Sequence, residues 1–239
     1  MKKLIIITQA ILIATVLFTS CTKNTPYMNG GKTITTDRNI DTNYTALLSE
    51  GSINIAFVEG QDYSLRIVCP ENKLQYITTS VVNGSLYITE ENNRVNSNTP
   101  IQVFVNKSLL NDIRNDGSGY IKGQIADSDH LNIENYGSGN IDISGIKTNE
   151  TEVLNSGSGN ISLYGITNRL FIYNEGSGNM KAFDLNTEEA MIRIDGSGNA
   201  NVNVSDLLNV KISGSGNVVY KGNPAIQVNV TGSGTVLPY

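Results

Sequence analysis

Residues 133–160 read IENYGSGNIDISGIKTNETEVLNSGSGN, and the second half of the stretch restates the first at a spacing of 20 residues. Gly-Ser-Gly begins at Gly137 and again at Gly157. Working outward, the same triplet begins at Gly117, Gly176, Gly196, Gly214 and Gly232, seven times in all, at intervals of 20, 20, 19, 20, 18 and 18 residues. Self-similarity at so steady a period is the mark of a stacked architecture. Flexible Gly/Ser linkers keep no such register and do not alternate it with aliphatic residues.

The flanks of the triplet repeat too. Four residues before each first glycine stand Ile113, Ile133, Val153, Ile172, Ile192, Val210 and Val228. Two residues before it come Asn115, Asn135, Asn155 and Asn174, then Ile194, Ile212 and Val230. After the second glycine runs another row, Asn140, Asn160, Asn179, Asn199 and Asn217, with Tyr120 and Thr235 at its ends. Alternation follows, as in Ile141-Asp142-Ile143, and period-two alternation of β-branched residues means half-buried strands. One such unit cannot bury its apolar face alone, so the units stack at ~4.8 Å per coil. The reading is an all-β parallel β-solenoid of about seven coils, right-handed by the general rule for parallel crossovers, and about 30 Å long. The glycines permit either left-handed dihedrals or close backbone approach at the bend. A position that accepts both Asn and Ile points inward, which makes Asn115, Asn135, Asn155 and Asn174 an internal amide ladder.

The preceding segment, 33–107, reads as a β cap over the first coil of the 108–239 solenoid. Its candidate strands are Gly51 to Glu59, Tyr63 to Cys69, Leu74 to Val82, Leu86 to Glu90 and Ile101 to Val105, with Asn83-Gly84 a strong hairpin signal. Residues 33–239 are thus one domain, and 21–32, polar with Pro26 and Gly30-Gly31, form a tether.

Residues 1–20 read as a processing signal. Lys2 and Lys3 precede an apolar run from Leu4 to Phe18, then Thr19, Ser20 and Cys21. A cysteine directly after small residues resembles a lipobox, in which Cys21 is acylated and becomes the mature N-terminus; Phe18 stands where such a box carries Leu, Val or Ile. Without residues 1–20 the chain has 15 basic and 22 acidic residues, a net charge of −7. No basic cluster offsets it, which argues against nucleic acid as a partner. Beyond Cys21 the only cysteine is Cys69, in an apolar run, so it reads as a buried structural thiol.

The Gly-Ser-Gly-Asn repeats, Gly84 with Leu86 and Ile88, and Tyr220-Lys-Gly-Asn-Pro224 before Gly232 resemble the family called putative auto-transporter adhesin, head GIN domain. The resemblance implies an all-β, β-helix-like stack on an envelope lipoprotein of Gram-negative bacteria, at the outer membrane, with either a periplasmic or a surface orientation. It brings no catalytic motif.

Little else carries chemistry. His130, the only histidine, could join Asp127 and Asp129 at a metal, but reads more simply as part of a solvated turn. The Asn row offers neutral carbonyls, weaker ligands for calcium than carboxylates. Neither cofactor nor metal is expected. Glu175 and Asp195 are the only adjacent acids in the row before the bend, and a glycan-cleaving reading needs their carboxylates about 5–9.5 Å apart in a groove. The leading expectation is a non-catalytic, lipid-anchored adhesin or scaffold that binds a glycan or protein along a solenoid face with Tyr136, Tyr164, Tyr173, Glu175 and Asp195. The alternatives are an enzyme acting on a glycan or cell-wall polymer, and homo-oligomeric self-assembly.

Overall fold

The computed structural model describes residues 28–29, 31–91, 95–96 and 98–239; Cys21 and the signal segment lie outside them. The chain begins with β1 (Met28–Asn29), β2 (Thr33–Arg38), β3 (Ala46–Glu50), β4 (Ile53–Val58) and β5 (Leu65–Pro70). A 3-10 helix over Glu71–Tyr76 leads to β6 (Ile77–Val82), β7 (Ser85–Glu90), β8 (Val95–Asn96) and β9 (Ile101–Asn106). The repeat supplies β10 (Asp112–Asn115), β11 (Ile121–Gln124), β12 (His130–Asn135), β13 (Ile141–Asn155) and β14 (Ile161–Asn174). It closes with β15 (Met180–Ile194), β16 (Ala200–Ile212), β17 (Val218–Lys221), β18 (Ala225–Val230) and β19 (Val236–Pro238).

These strands pair in parallel, coil upon coil, in one solenoid. Before the bend, Ile113, Ile133, Val153, Ile172, Ile192, Val210 and Val228 stand in register. After it, Ile121, Ile141, Ile161, Met180, Ala200, Val218 and Val236 do the same. The two columns face each other, and all but the last member of each row is buried. Burying each aliphatic side chain contributes about 1.5–3 kcal/mol. The seven bends enclose six turns, one fewer than a count of bends suggests. On the far side β13 to β16 run through the corner without a break, with register shifts and with Gly145 and Gly165 at positive φ. Inside that corner Thr148, Thr151 and Thr167 join their hydroxyls at 2.8–3.2 Å.

Close approach, not handedness, explains the glycines of the bend. None of the Gly-Ser-Gly glycines has a positive φ. A Cβ on Gly157 would lie 1.9 Å from the carbonyl oxygen of Gly137, and one on Gly159 would lie 1.8 Å from that of Gly139. Backbone cannot move aside as a flexible side chain can, so each coil admits only glycine against the coil before it.

The same approach seats two amide ladders. Inside, the Nδ2 of Asn115 donates to Asn135 Oδ1 at 3.1 Å, Asn135 to Asn155 at 3.0 Å and Asn155 to Asn174 at 3.4 Å. Asn174 ends the run by donating to the Gly178 carbonyl at 2.8 Å, and above it Ile194 and Ile212 take the place with no polar group to satisfy. Outside, each Asn accepts from both the backbone N–H and the Nδ2 of the next, as Asn160 does from Asn179 at 3.0 and 3.1 Å. That run continues through Asn199 and Asn217 to Thr235.

The segment 33–107 contributes a coil as well as covering one. β3 pairs with β10 and β4 with β11, through a bend at Gly51-Ser52 in which Ser49 stands at the ladder position and Ser52 Oγ meets Ser118 Oγ at 2.8 Å. Asn54 starts the outer ladder by accepting from the Tyr120 N–H at 3.2 Å. β7 and β9 lie on this coil in parallel, and antiparallel strands cover them, β6 on β7 through Asn83-Gly84 and β5 on β9, with β2 beyond β5. The hairpin is thus as the sequence suggests, Asn83 and Gly84 both having positive φ. Leu74 to Tyr76, expected to open a strand, belong instead to the 3-10 helix Glu71–Tyr76, within which Lys73 turns inward to a buried ion pair with Glu90 at 3.1 Å. The Glu90 carboxylate also accepts from the Ser52 N–H at 3.1 Å and so ties the cap to the bend. Cys69 is fully buried, and burial pushes its thiol pKa up despite Arg38 and Lys73, as suits a structural residue.

Three substitutions test this account by urea unfolding. Gly157→Ala should cost about 3 kcal/mol, the upper range for overpacking, whereas Ser158→Ala at the exposed tip of the same bend should be neutral. Asn155→Ala should cost about 1–3 kcal/mol for each neighbouring amide left unpaired. A bend that tolerates alanine would refute the close-approach argument.

Candidate functional site

The outward residues of the column before the bend form one continuous surface. Because inward residues alternate with outward ones, and because every strand keeps register, three rows of side chains run along it. One row holds Asn132, Glu152, Phe171 and Met191; the next holds Arg114, Glu134, Leu154, Tyr173 and Arg193. Nearest the bend stand Asp116, Tyr136, Ser156, Glu175 and Asp195. A groove of about 320 Å³ crosses four coils of this surface, lined by Asn132, Glu134, Glu152, Leu154, Tyr173, Asn174, Glu175, Arg193 and Asp195. Leu154 and Tyr173 supply its apolar part, and four carboxylates and one guanidinium surround them.

Several of these groups are held in place. Arg193 Nε donates to Asp195 Oδ2 at 2.7 Å, and Ser156 Oγ donates to Glu175 Oε2 at 3.0 Å. The Ser213 hydroxyl, then Arg193, hold the Asp195 carboxyl below the usual carboxylate range. Arg114 clasps Asp116 at 2.8 Å, lies 3.6 Å from Glu134 and stacks 4.5 Å from the centre of the Tyr136 ring. The Asp116 hydrogen bond raises the pKa of that guanidinium, and desolvation raises that of the Tyr136 phenol.

The groove brings together Tyr173, Glu175 and Asp195, with Tyr136 beside them on the same face. Tyr164 does not join them. It lies on β14 after the bend, in register with Asp184, and is exposed on another side of the coil. The residues expected from the sequence include only Tyr173 from the second row, and leave out Glu134, Glu152, Leu154 and Arg193. Their signal was present three and five residues before each first glycine, at the repeat spacing.

The connection at 125–129, and His130 at the start of β12, make contacts between coils. Asp127 pairs with Lys147 at 2.5 Å, Asp129 accepts from Asn149, and His130 Nδ1 lies 3.5 Å from Glu150, each partner being 20 residues on. Among the described residues no group of three His, Cys, Asp or Glu is placed to hold a metal ion. No helix among them is long and apolar enough to cross a membrane.

A family model described as putative auto-transporter adhesin, head GIN domain, matches residues 43–224. The fold is similar to that of a putative adhesin from Bacteroides fragilis, with a TM-score of 0.80, 23% identity, and coverage of 89% of this chain and 100% of that one. A putative lipid binding protein from Parabacteroides distasonis gives 0.69 at 25% identity, covering 89% and 99%. A putative adhesin from Parabacteroides merdae gives 0.63 at 25% identity, covering 89% and 98%. No curated protein matches the chain.

The lowered pKa of Asp195 gives a stability effect with a definite sign. A carboxyl whose folded pKa lies below its unfolded value of 3.8 stabilises the fold above that pH and loses the contribution as pH falls through the folded value. Acid unfolding of Asp195→Asn, followed by fluorescence or circular dichroism, should therefore show a shallower fall in stability below pH 3.8 than the parent. Identical acid profiles would remove the Ser213 and Arg193 contacts as its cause.

Proposed function

The chain belongs to the putative auto-transporter adhesin, head GIN domain family, and from that membership we propose that it is a lipid-anchored, non-catalytic envelope protein that binds a glycan or protein along one face of its rod. The observation that carries the binding reading is the groove over four coils, where Tyr173 and Leu154 are flanked by Glu134, Glu152, Glu175, Arg193 and Asp195. An aromatic and an aliphatic surface beside fixed carboxylates can stack on a sugar ring or an apolar side chain while hydrogen bonding to its polar edge. The solenoid supplies rigidity, so little ordering entropy is spent on binding.

Anchoring rests on the signal-like run ending at Thr19-Ser20-Cys21 and on the polar segment after it, which has the composition of a tether. Acylation of Cys21 would hold the rod at the outer membrane, since several acyl chains make a lasting anchor where one does not. Asp195 is not suited to be the general acid of a glycoside cleavage, because that role needs a raised pKa and its Ser213 and Arg193 contacts shift it the other way.

A glycan and extracellular-matrix array probed with the purified protein tests the binding face. Saturable binding should weaken roughly tenfold in Tyr173→Ala, as for a buried aromatic anchor, and stay unchanged in Tyr164→Ala on the other side of the coil. Equal losses in both variants, or no binding to any polymer, would remove the groove as the site. In cells, Cys21→Ser should abolish palmitate labelling and move the protein from the membrane fraction to the soluble one. Retention in the membrane fraction would overturn the lipid anchor.

A further inference from the structure

The two ends of the solenoid are finished differently. At the first end the parallel strands β7 and β9 are covered by antiparallel β6 and β5, and the core beneath them is closed. At the other end the last coil is formed by β18 and β19, and among the described residues nothing lies on it. Ile226, Val228 and Val230 continue the inward rows of the core yet remain 42%, 49% and 38% exposed, where Val210 and Ile212 one coil below are fully buried. Native edge strands are usually blunted by charge or proline. β19 carries Pro238, but β18 has neither, and no charged side chain occurs from Gly222 to Tyr239.

The backbone of β18 is set up to accept a partner. The N–H of Thr231 donates back to the carbonyl of Ile212, as that of Ser213 does to Ile194, so inward residues direct their carbonyls to the following coil. In β18 those residues are Ile226, Val228 and Val230, the same ones whose side chains are uncovered. An antiparallel copy of β18 with Val228 opposite Val228 places Ile226 opposite Val230 and Gln227 opposite Asn229. Over residues 226–230 each facing pair is then apolar with apolar or amide with amide, and the paired edge groups make about six backbone hydrogen bonds.

We infer that β18 is a self-association edge, and that two copies of this chain join end to end across a two-fold axis at Val228, making one continuous core through both rods. Antiparallel addition to a parallel coil already occurs at the opposite end of the molecule, where β6 lies on β7. Because a two-fold contact uses the same edge on both chains, each β18 is consumed by the pairing and the association closes at a dimer instead of extending into a fibre.

The test uses the full chain purified in detergent, with its protein mass read by light scattering. The parent should have the mass of two chains. Val228→Lys, which sets two ammonium groups face to face on the axis, should raise the dissociation constant at least tenfold, about 1.4 kcal/mol, and leave single chains at the same concentration. Val228→Cys should form a disulfide-linked dimer on mild oxidation, because facing residues of a hydrogen-bonded antiparallel pair lie about 5.5 Å apart between Cα atoms, within disulfide range. The parent chain, which retains Cys21 and Cys69, serves as the blank. A parent that stays a single chain, or a Val228→Cys chain that dimerises without cross-linking, overturns the proposal. The cross-link decides it even if the lysine variant fails to fold.

Discussion

At each bend the carbonyl oxygen of one coil sits where the next coil's Cβ would have to be, 1.7–2.0 Å from it at every Gly-Ser-Gly glycine. The rest of the structure depends on that contact. It fixes glycine at two positions per coil, and with them the axial distance between coils. Once that distance is set, equivalent residues face each other at strand spacing, and a row of like residues becomes a ladder. Amides do well in such a row because each is both donor and acceptor, so the four interior asparagines satisfy one another where an isolated buried amide would cost about 1–3 kcal/mol.

Most of this was legible in the sequence, and for a physical reason. A stacked fold writes its long-range contacts at a fixed sequence distance, so the partners of Ile133 are found simply by counting about 20 residues either way. The exchange of Asn174 for Ile194 and Ile212 even revealed which side of the strand is buried. What escaped reading lacks the period. The coil at Ala46–Val58 keeps only Gly51-Ser52, with Ile53 where a second glycine would stand, and its neighbours in the stack lie both far ahead and a short way on in the chain. The 3-10 helix at Glu71–Tyr76, which buries Lys73 against Glu90, has no spacing rule to announce it.

The groove shows the same division. Its framework repeats, but its chemistry does not. Glu134, Leu154, Tyr173 and Arg193 occupy one row, and no two are alike. Outward positions are free of the packing that makes the inner rows uniform, so they can vary coil by coil without disturbing the stack. Tyr164 does not join the group because it sits on the strand that leaves the bend, whereas the groove is lined by the strands that enter it.

The two amide ladders point opposite ways. In the interior each asparagine donates toward the later coil, while on the exterior each donates toward the earlier one. Where both are present, from Asn135 to Asn174, their side-chain dipoles oppose each other, whereas an α-helix aligns its dipoles and accumulates about half an elementary charge at each tip. Beyond Asn174 only the outer ladder continues, so the later coils carry an amide polarity that the earlier coils offset.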